Sequence, residues 1–258
     1  MPRPKPKPHA TPDDLAFGIN SCAMALQHGY VRSMFYWKDA KNDRVSELCE
    51  RARRVGIEVH PIELHKIDEI TSDGVHQGIY VRLKDIPELG LEEIIEAKHE
   101  RSLILLLDRV TDPQNLGAVL RTAVAVGVHG IVLPRRRGVQ LTPGVHRASA
   151  GLSFIAPVVS PQNLSQAARE LQEAGYWIIA AEAGPESVDA TTFDWPPRTA
   201  LLMGNEGEGI AHMLLEHSDF RVALPMDPRV DSLNIGVACG ALSYLWRRQW
   251  PLEAAAPA

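Results

Sequence analysis

The chain has 258 residues, 45% hydrophobic and 23% charged, the balance of a soluble globular protein with room for one large domain or a small and a medium one. No run approaches the roughly 20 apolar residues of a membrane helix, and the opening MPRPKPKPHATP lacks the apolar core of a secretory signal. A net charge of −5 excludes a chain that is basic throughout, so any contact with nucleic acid must be local.

Residues 1–14, with Arg3, Lys5 and Lys7 among prolines, are expected to be an extended or disordered basic tail. A compact α/β unit is expected over 15–83. Its helices are Ser21–His28, Asp43–Val55 and His65–Thr71, and its strands Met34–Trp37, Ile57–Pro61 and Ile79–Leu83. The charged stretch 84–100 reads as a linker with a helical part. A second unit, 101–250, opens on SLILLLD at Ser102–Asp108, a continuous apolar run typical of a buried parallel strand. Helices at Asn115–Val126, Ser165–Ala174, Ile210–His217 and Leu233–Trp246 alternate with strands at Gly130–Leu133, Ala156–Val159, Trp177–Ala181, Thr199–Met203 and Arg221–Leu224. That repetition predicts a largely parallel sheet, with ligands beyond the carboxyl ends of its strands. Residues 251–258 read as a flexible tail.

Cys22, Cys49 and Cys239 are odd in number and far apart, which speaks against a disulfide framework or zinc site and for reduced thiols in a cytosolic protein. His60/His65 and His212/His217 are five apart, one too many for one helical face, so no metal site is expected.

Three segments carry chemistry, and each follows a predicted strand. In DRVTDPQNLGAVLR, from Asp108 to Arg121, a polar turn leads into an arginine-bearing helix that could hold phosphate or serve as an ordinary capped helix. In LLMGNEGEG, Leu201–Gly209, the glycines allow close approach of backbone to a ligand. Their order is not that of a dinucleotide or P-loop fold. Glu206 and Glu208 would repel a pyrophosphate and suit a cationic ligand such as S-adenosylmethionine. In VALPMDPRVDSLNIGVA, Val222–Ala238, Pro225 and Pro228 forbid a regular helix, and Asp231 or Ser232 is a natural N-cap for the final helix. The exposed backbone of that stretch could read an adenine edge. A basic cluster, Arg135, Arg136 and Arg137 with His146 and Arg147, offers phosphate contacts or a solvated surface.

Together these segments resemble the three motifs of the SpoU/TrmH family of RNA ribose methyltransferases, in the SPOUT class. The matching residues are Asn115, Gly117 and Arg121, then Gly204, Asn205, Glu206, Gly207 and Gly209, then Pro225, Ser232, Leu233 and Asn234. GINSCAMAL at Gly18–Leu26 and HQGIYV at His76–Val81 resemble the family's substrate-binding domain, which is itself similar to certain RNA-binding ribosomal proteins. The resemblance implies a C-terminal α/β domain with a trefoil knot, a homodimer with the site near its interface, and no metal. It implies S-adenosylmethionine bound along Gly204, Leu224, Met226, Ser232 and Leu233, and methylation of a guanosine ribose 2′-hydroxyl in 23S ribosomal RNA. A transfer RNA substrate and a non-catalytic RNA-binding or assembly role are the alternatives. Arg121, Glu206, Asn115 and Asn234 are implied as the catalytic group, with Arg135, Arg136, Arg137 and Arg147 on the RNA. A guanidinium is almost never deprotonated, so Arg121 suits an electrostatic clamp better than a base, and Glu206 is the alternative base. One departure stands out: Gly236 replaces the serine usual in the family.

Overall fold

The computed structural model describes residues 14–72, 74–136, 138–205 and 207–252. They form two compact units. One takes in the chain up to Pro87 together with Leu141–Phe154; the other takes in Glu88–Gln140 and the chain from Ile155.

The first unit is built on a four-stranded sheet in the order β1 (Leu15–Phe17), β4 (Ile79–Leu83), β2 (Val31–Trp37), β3 (Glu58–Ile62), in which only β2 and β3 run parallel. Helices α1 (Ile19–Gln27) and α2 (Asp43–Arg54) bury Cys22, Ala25, Val45 and Leu48 with Met34, Ile79 and Val81 of the sheet. Asn42 caps α2 by accepting the Arg44 N–H at 3.0 Å. Helix α3 (Leu64–Ile70) contributes Ile67 to a second cluster with Leu15, Phe17 and Tyr80. The stretches Gly18–Leu26 and His76–Val81 meet: Ile19 donates its N–H to Gln77 Oε1 at 2.9 Å, and Gly18 lies at φ +86.

The sequence expectation misses how this unit is finished. No element is expected between Leu133 and Ala156, yet α6 (Pro143–Ala148) and a 3-10 turn at Leu152–Phe154 form and pack here. His146 is 2% exposed and stacks on Phe154 with ring centroids 4.4 Å apart. Its Nδ1 meets Ser153 Oγ at 2.8 Å, and its carbonyl accepts the Ser21 hydroxyl at 2.9 Å. Burial pushes the imidazole pKa down to about 4. Phe154 joins the α1–α2 core.

The second unit carries a seven-stranded sheet in the order β7-β6-β5-β10-β8-β11-β9, with every pairing parallel. The strands are β5 (Ser102–Leu107), β6 (Gly130–Val132), β7 (Val158–Val159), β8 (Trp177–Ala181), β9 (Val188–Asp189), β10 (Arg198–Met203) and β11 (Phe220–Ala223). All six residues of β5 are buried, as a strand covered on both faces requires. The stretch taken for a linker is partly core, because helix α4 (Leu91–Glu96) sends Leu91 and Ile94 into the cluster beneath β5 and β6.

Helices α5 (Pro113–Val126), α7 (Leu164–Glu173), α8 (His212–Glu216) and α9 (Ile235–Gln249) complete the unit. Helix α5 starts at Pro113 behind an Asp112 N-cap and ends at Gly127, φ +72. Arg247 of α9 closes that end, donating to the carbonyls of Val126 at 2.7 Å and Gly127 at 2.9 Å. Helices α5 and α9 approach closely: a Cβ on Gly236 would lie 2.8 Å from the Ala118 Cβ. The missing serine at 236 is thus a steric matter, since the methyl of Ala118 fills its place. No helix among the described residues is long and apolar enough to cross a membrane.

Candidate active site

The site lies where the parallel-sheet rule puts it, beyond the carboxyl ends of β8, β10 and β11. Two loops form its lips. The first leaves β10 at Gly204 and turns back on itself, with Asn205 N–H to Gly209 O at 3.2 Å and Gly209 N–H to Asn205 O at 2.9 Å. The fold-back is so tight that a Cβ on Gly204 would sit 2.3 Å from the Gly209 carbonyl carbon and 2.5 Å from Ile210 N. Only glycine fits there.

A polar frame supplied by the end of β5 holds this lip. Asp108, 7% exposed, accepts the Ala211 N–H at 2.8 Å. Arg109 spans Asp108 at 3.3 Å and Gly209 O at 3.2 Å, and its Nη1 pairs with Glu208. Asn205 donates to Arg109 O at 3.0 Å and accepts the Gly207 N–H at 2.8 Å. Arg109 itself lies at φ +55, a backbone state that the surrounding bonds hold in place.

The second lip, residues 224–233, follows β11. Its side-chain bonds run within itself: Asp227 accepts from the Arg229 main chain at 3.0 Å and guanidinium at 2.8 Å, which brings the carboxyl pKa down to about 2. The lip ends at Asn234. That residue, rather than Asp231 or Ser232, is the N-cap of α9, accepting the Gly236 N–H at 3.0 Å. Asn234 Nδ2 also donates to Asn115 Oδ1 at 2.8 Å, which ties the start of α9 to the start of α5.

Between the lips is a cavity of about 460 Å³. All five residues expected along the cofactor line it: Gly204, Leu224, Met226, Ser232 and Leu233. Ile210, Ile235, Ala238 and Leu242 give apolar walls, and Glu182, Glu208 and Asp231 contribute carboxylates. Of the expected catalytic group, Asn115 and Asn234 are in contact, whereas Arg121 is exposed on α5, makes no hydrogen bond or ion pair with a described residue, and does not line the cavity. Glu206 and Arg137 lie outside the described residues. Arg135 donates to Ser160 O at 2.9 Å and pairs with Glu88, Arg136 is exposed in the same unit, and Arg147 is exposed on α6 of the other unit.

Sequence reasoning missed Asp108 and Arg109 as the frame of the glycine lip. The signal was an acidic-basic pair ending a buried strand, but its partners lie about 100 positions away. It also missed the wall from β8, Ala181 to Ala183, because β8 reaches the site only through its place beside β10.

A family model described as SpoU rRNA Methylase matches residues 102–244, and one described as RNA 2′-O ribose methyltransferase substrate binding matches residues 15–88. The chain is 35% identical over 237 residues to the 23S rRNA (guanosine-2′-O-)-methyltransferase RlmB of Xanthomonas campestris pv. campestris, covering 90% of this chain and 95% of that one. It is 36% identical over 249 residues to the putative TrmH family tRNA/rRNA methyltransferase YacO of Bacillus subtilis, covering 89% and 99%. The AdoMet-bound rRNA methyltransferase from Sinorhizobium meliloti superposes with a TM-score of 0.77 at 28% identity, covering 93% of this chain and 88% of that one.

Proposed function

This chain belongs to the SpoU rRNA methylase family, and from that premise we propose that it transfers the methyl group of S-adenosylmethionine to the 2′-hydroxyl of a guanosine ribose in 23S ribosomal RNA. The observation that carries the reading is the cavity behind the glycine lip. Its volume, about 460 Å³, lies in the range of roughly 300–1,000 Å³ common for small-molecule sites. Apolar walls suit an adenine ring, and the carboxylates of Glu182 and Asp231 suit an ammonium and a sulfonium. Bound there, S-adenosylmethionine supplies a methyl group on a positively charged sulfur that leaves as a neutral thioether.

The chain's own residues have three tasks. The lips position the donor, and positioning supplies much of the rate in such a displacement. The Asn115–Asn234 pair, set between the first turns of α5 and α9, orients the ribose. The hydroxyl proton must leave as the new C–O bond forms; Glu206, matched to the family's second motif, is the candidate to accept it, and Arg121 acts as a cationic clamp on the adjacent phosphate or developing alkoxide.

Arg121 is exposed and does not line its own chain's cavity, which supports a homodimer in which each copy presents Arg121 to the other's site. Val237 and Tyr244, 58% and 55% exposed and seven residues apart on α9, offer an apolar face for that contact. The insertion of β10 between β5 and β8, with α9 returning onto α5, supports a trefoil knot. The 15–88 match supports an N-terminal domain that grips RNA, with Arg136 and Arg147 as exposed phosphate contacts; Arg135 spends part of its guanidinium on Glu88 and Ser160. A ribosomal RNA substrate supports a cytoplasmic location for this reading.

Purified protein with methyl-labelled S-adenosylmethionine should label 23S ribosomal RNA, and ribose mapping should find one guanosine. Label confined to transfer RNA would move the reading to that substrate, and no label in any RNA would remove it. Glu206→Gln should abolish the rise of the pH–rate profile through the acid range where a carboxylate loses its proton; near-normal turnover would exclude the glutamate as base.

A further inference from the structure

A second cleft adjoins the cofactor cavity on the far side of the glycine lip. It is lined by Arg109, Thr111, Gly138, Val139, Asn205 and Glu208, and it shares Asn205 and Glu208 with the cavity. Anything seated in it is therefore next to a donor seated in the cavity.

The polar groups of this cleft are arranged in an unusual way. Glu208 is exposed, yet one carboxylate oxygen is held by Arg109, whose other nitrogens are fixed on Asp108 and Gly209 O. The second carboxylate oxygen has no partner among the described residues. Thr111 is exposed, and its hydroxyl is likewise without a described partner. Gly138 presents bare backbone to the cleft, and a Cβ there would already lie 3.3 Å from the Val110 carbonyl oxygen. One oxygen is open and the Arg109-held oxygen keeps a second lone pair, so this fixed carboxylate can still accept two parallel donors.

We propose that this cleft is the pocket of the target base and that Glu208 selects guanine. The proposal rests on the methyl-transfer reading above and deepens it. Guanine alone among the RNA bases places an N1–H and an exocyclic N2–H side by side on its Watson–Crick edge, matching the two oxygens of a carboxylate. Thr111 donates to the neighbouring O6. Adenine turns a lone pair on N1 toward the same carboxylate and is repelled. The pocket takes a base that is unpaired or turned out of its stack, since the edge it reads is otherwise occupied.

The test uses the full-length protein and the ribosomal RNA segment containing the mapped nucleotide, assembled by ligation with guanosine, inosine or adenosine at that position. Inosine keeps N1–H and O6 but lacks the N2 amine. For the wild type, kcat/KM should fall about tenfold with inosine and further with adenosine. Glu208→Ala should lose activity on guanosine and bring the guanosine-to-inosine ratio close to one. A wild-type enzyme that treats guanosine and inosine alike overturns the proposal, as does a Glu208→Ala protein that keeps the wild-type ratio. If Glu208→Ala is silent on every RNA, the wild-type ratio decides together with Glu208→Gln, which keeps one acceptor oxygen and should show an intermediate ratio. Wild-type turnover on the guanosine RNA is the reference: a missing reference counts against the proposed reaction, a flat ratio against the cleft.

Discussion

The two lips of the cofactor cavity are built on opposite plans. The glycine lip is fixed from outside: Asp108 and Arg109 reach it from another strand, its own backbone pairs across the turn, and Gly204 leaves no space for movement. Among the described residues, the proline lip is fixed at its ends, on β11 and at the Asn234 cap, and between them Asp227 and Arg229 bond to each other. A site that must hold a ligand and then release it gains from such asymmetry. One wall is preorganised, so little entropy is lost on binding there, and the other can adjust.

The largest effect should come from breaking the rigid lip. Gly204→Ala puts a methyl into backbone that cannot yield, and calorimetry should show S-adenosylmethionine binding weakened roughly 100-fold. Near-normal affinity would mean that the lip is not preformed. An acid titration supplies a reference in neither lip. His146 has a folded pKa of about 4 against 6.5 for the free side chain. Below pH 6.5 the unfolded chain takes up the proton first, so stability is complete above that pH and is lost as pH falls toward 4, by roughly 3 kcal/mol at most. Melting curves of wild type and His146→Gln between pH 7 and 4.5 should differ in slope. Part of the slope should persist through His129, which burial, with His99 and Arg247 nearby, also brings down to about 4. Identical slopes would remove His146 from the acid response.

Gly236→Ser probes the anchor of the adaptable lip. Its Cβ would collide with Ala118, at a cost of about 1–3 kcal/mol in denaturant melts, and Ala118→Gly in the same chain should recover most of it. If the second change restores nothing, the clash is not the reason for glycine. Arg109→Ala frees Glu208 and the Gly209 carbonyl, and cofactor affinity should drop about tenfold. Asp227→Ala should change it by less than about threefold, because the turn it supports is local and exposed. A larger effect from Asp227→Ala than from Arg109→Ala would reverse the assignment of rigid and adaptable lips.

Much of the fold was legible in the chain. The apolar run of β5 announces a buried strand, the Asp112-Pro113 pair announces the start of α5, and the glycines of 204–209 announce a close backbone approach. The failures share one cause, a partner distant in sequence. Asn234 outcompetes Ser232 as the cap of α9, and it also bonds Asn115, 119 positions away. The sheet order that sets β10 between β5 and β8 leaves no periodic trace. Arg135 looked like part of a free basic run until Glu88 and Ser160 were found beside it. Glycine at 236 looked like a lost hydroxyl until Ala118 was seen opposite.

The placement of Leu141–Phe154 in the first unit has a consequence for synthesis on the ribosome. A chain that has emerged only as far as Pro87 holds every strand of the first sheet but lacks α6, the Phe154 ring and the His146 carbonyl that accepts Ser21. The N-terminal unit therefore waits for more than fifty further residues, including β5, α5 and β6, before its core can close. Release of a truncated chain from that interval would deliver an unfinished hydrophobic surface, so the two units mature as interleaved pieces of one nascent chain rather than one after the other.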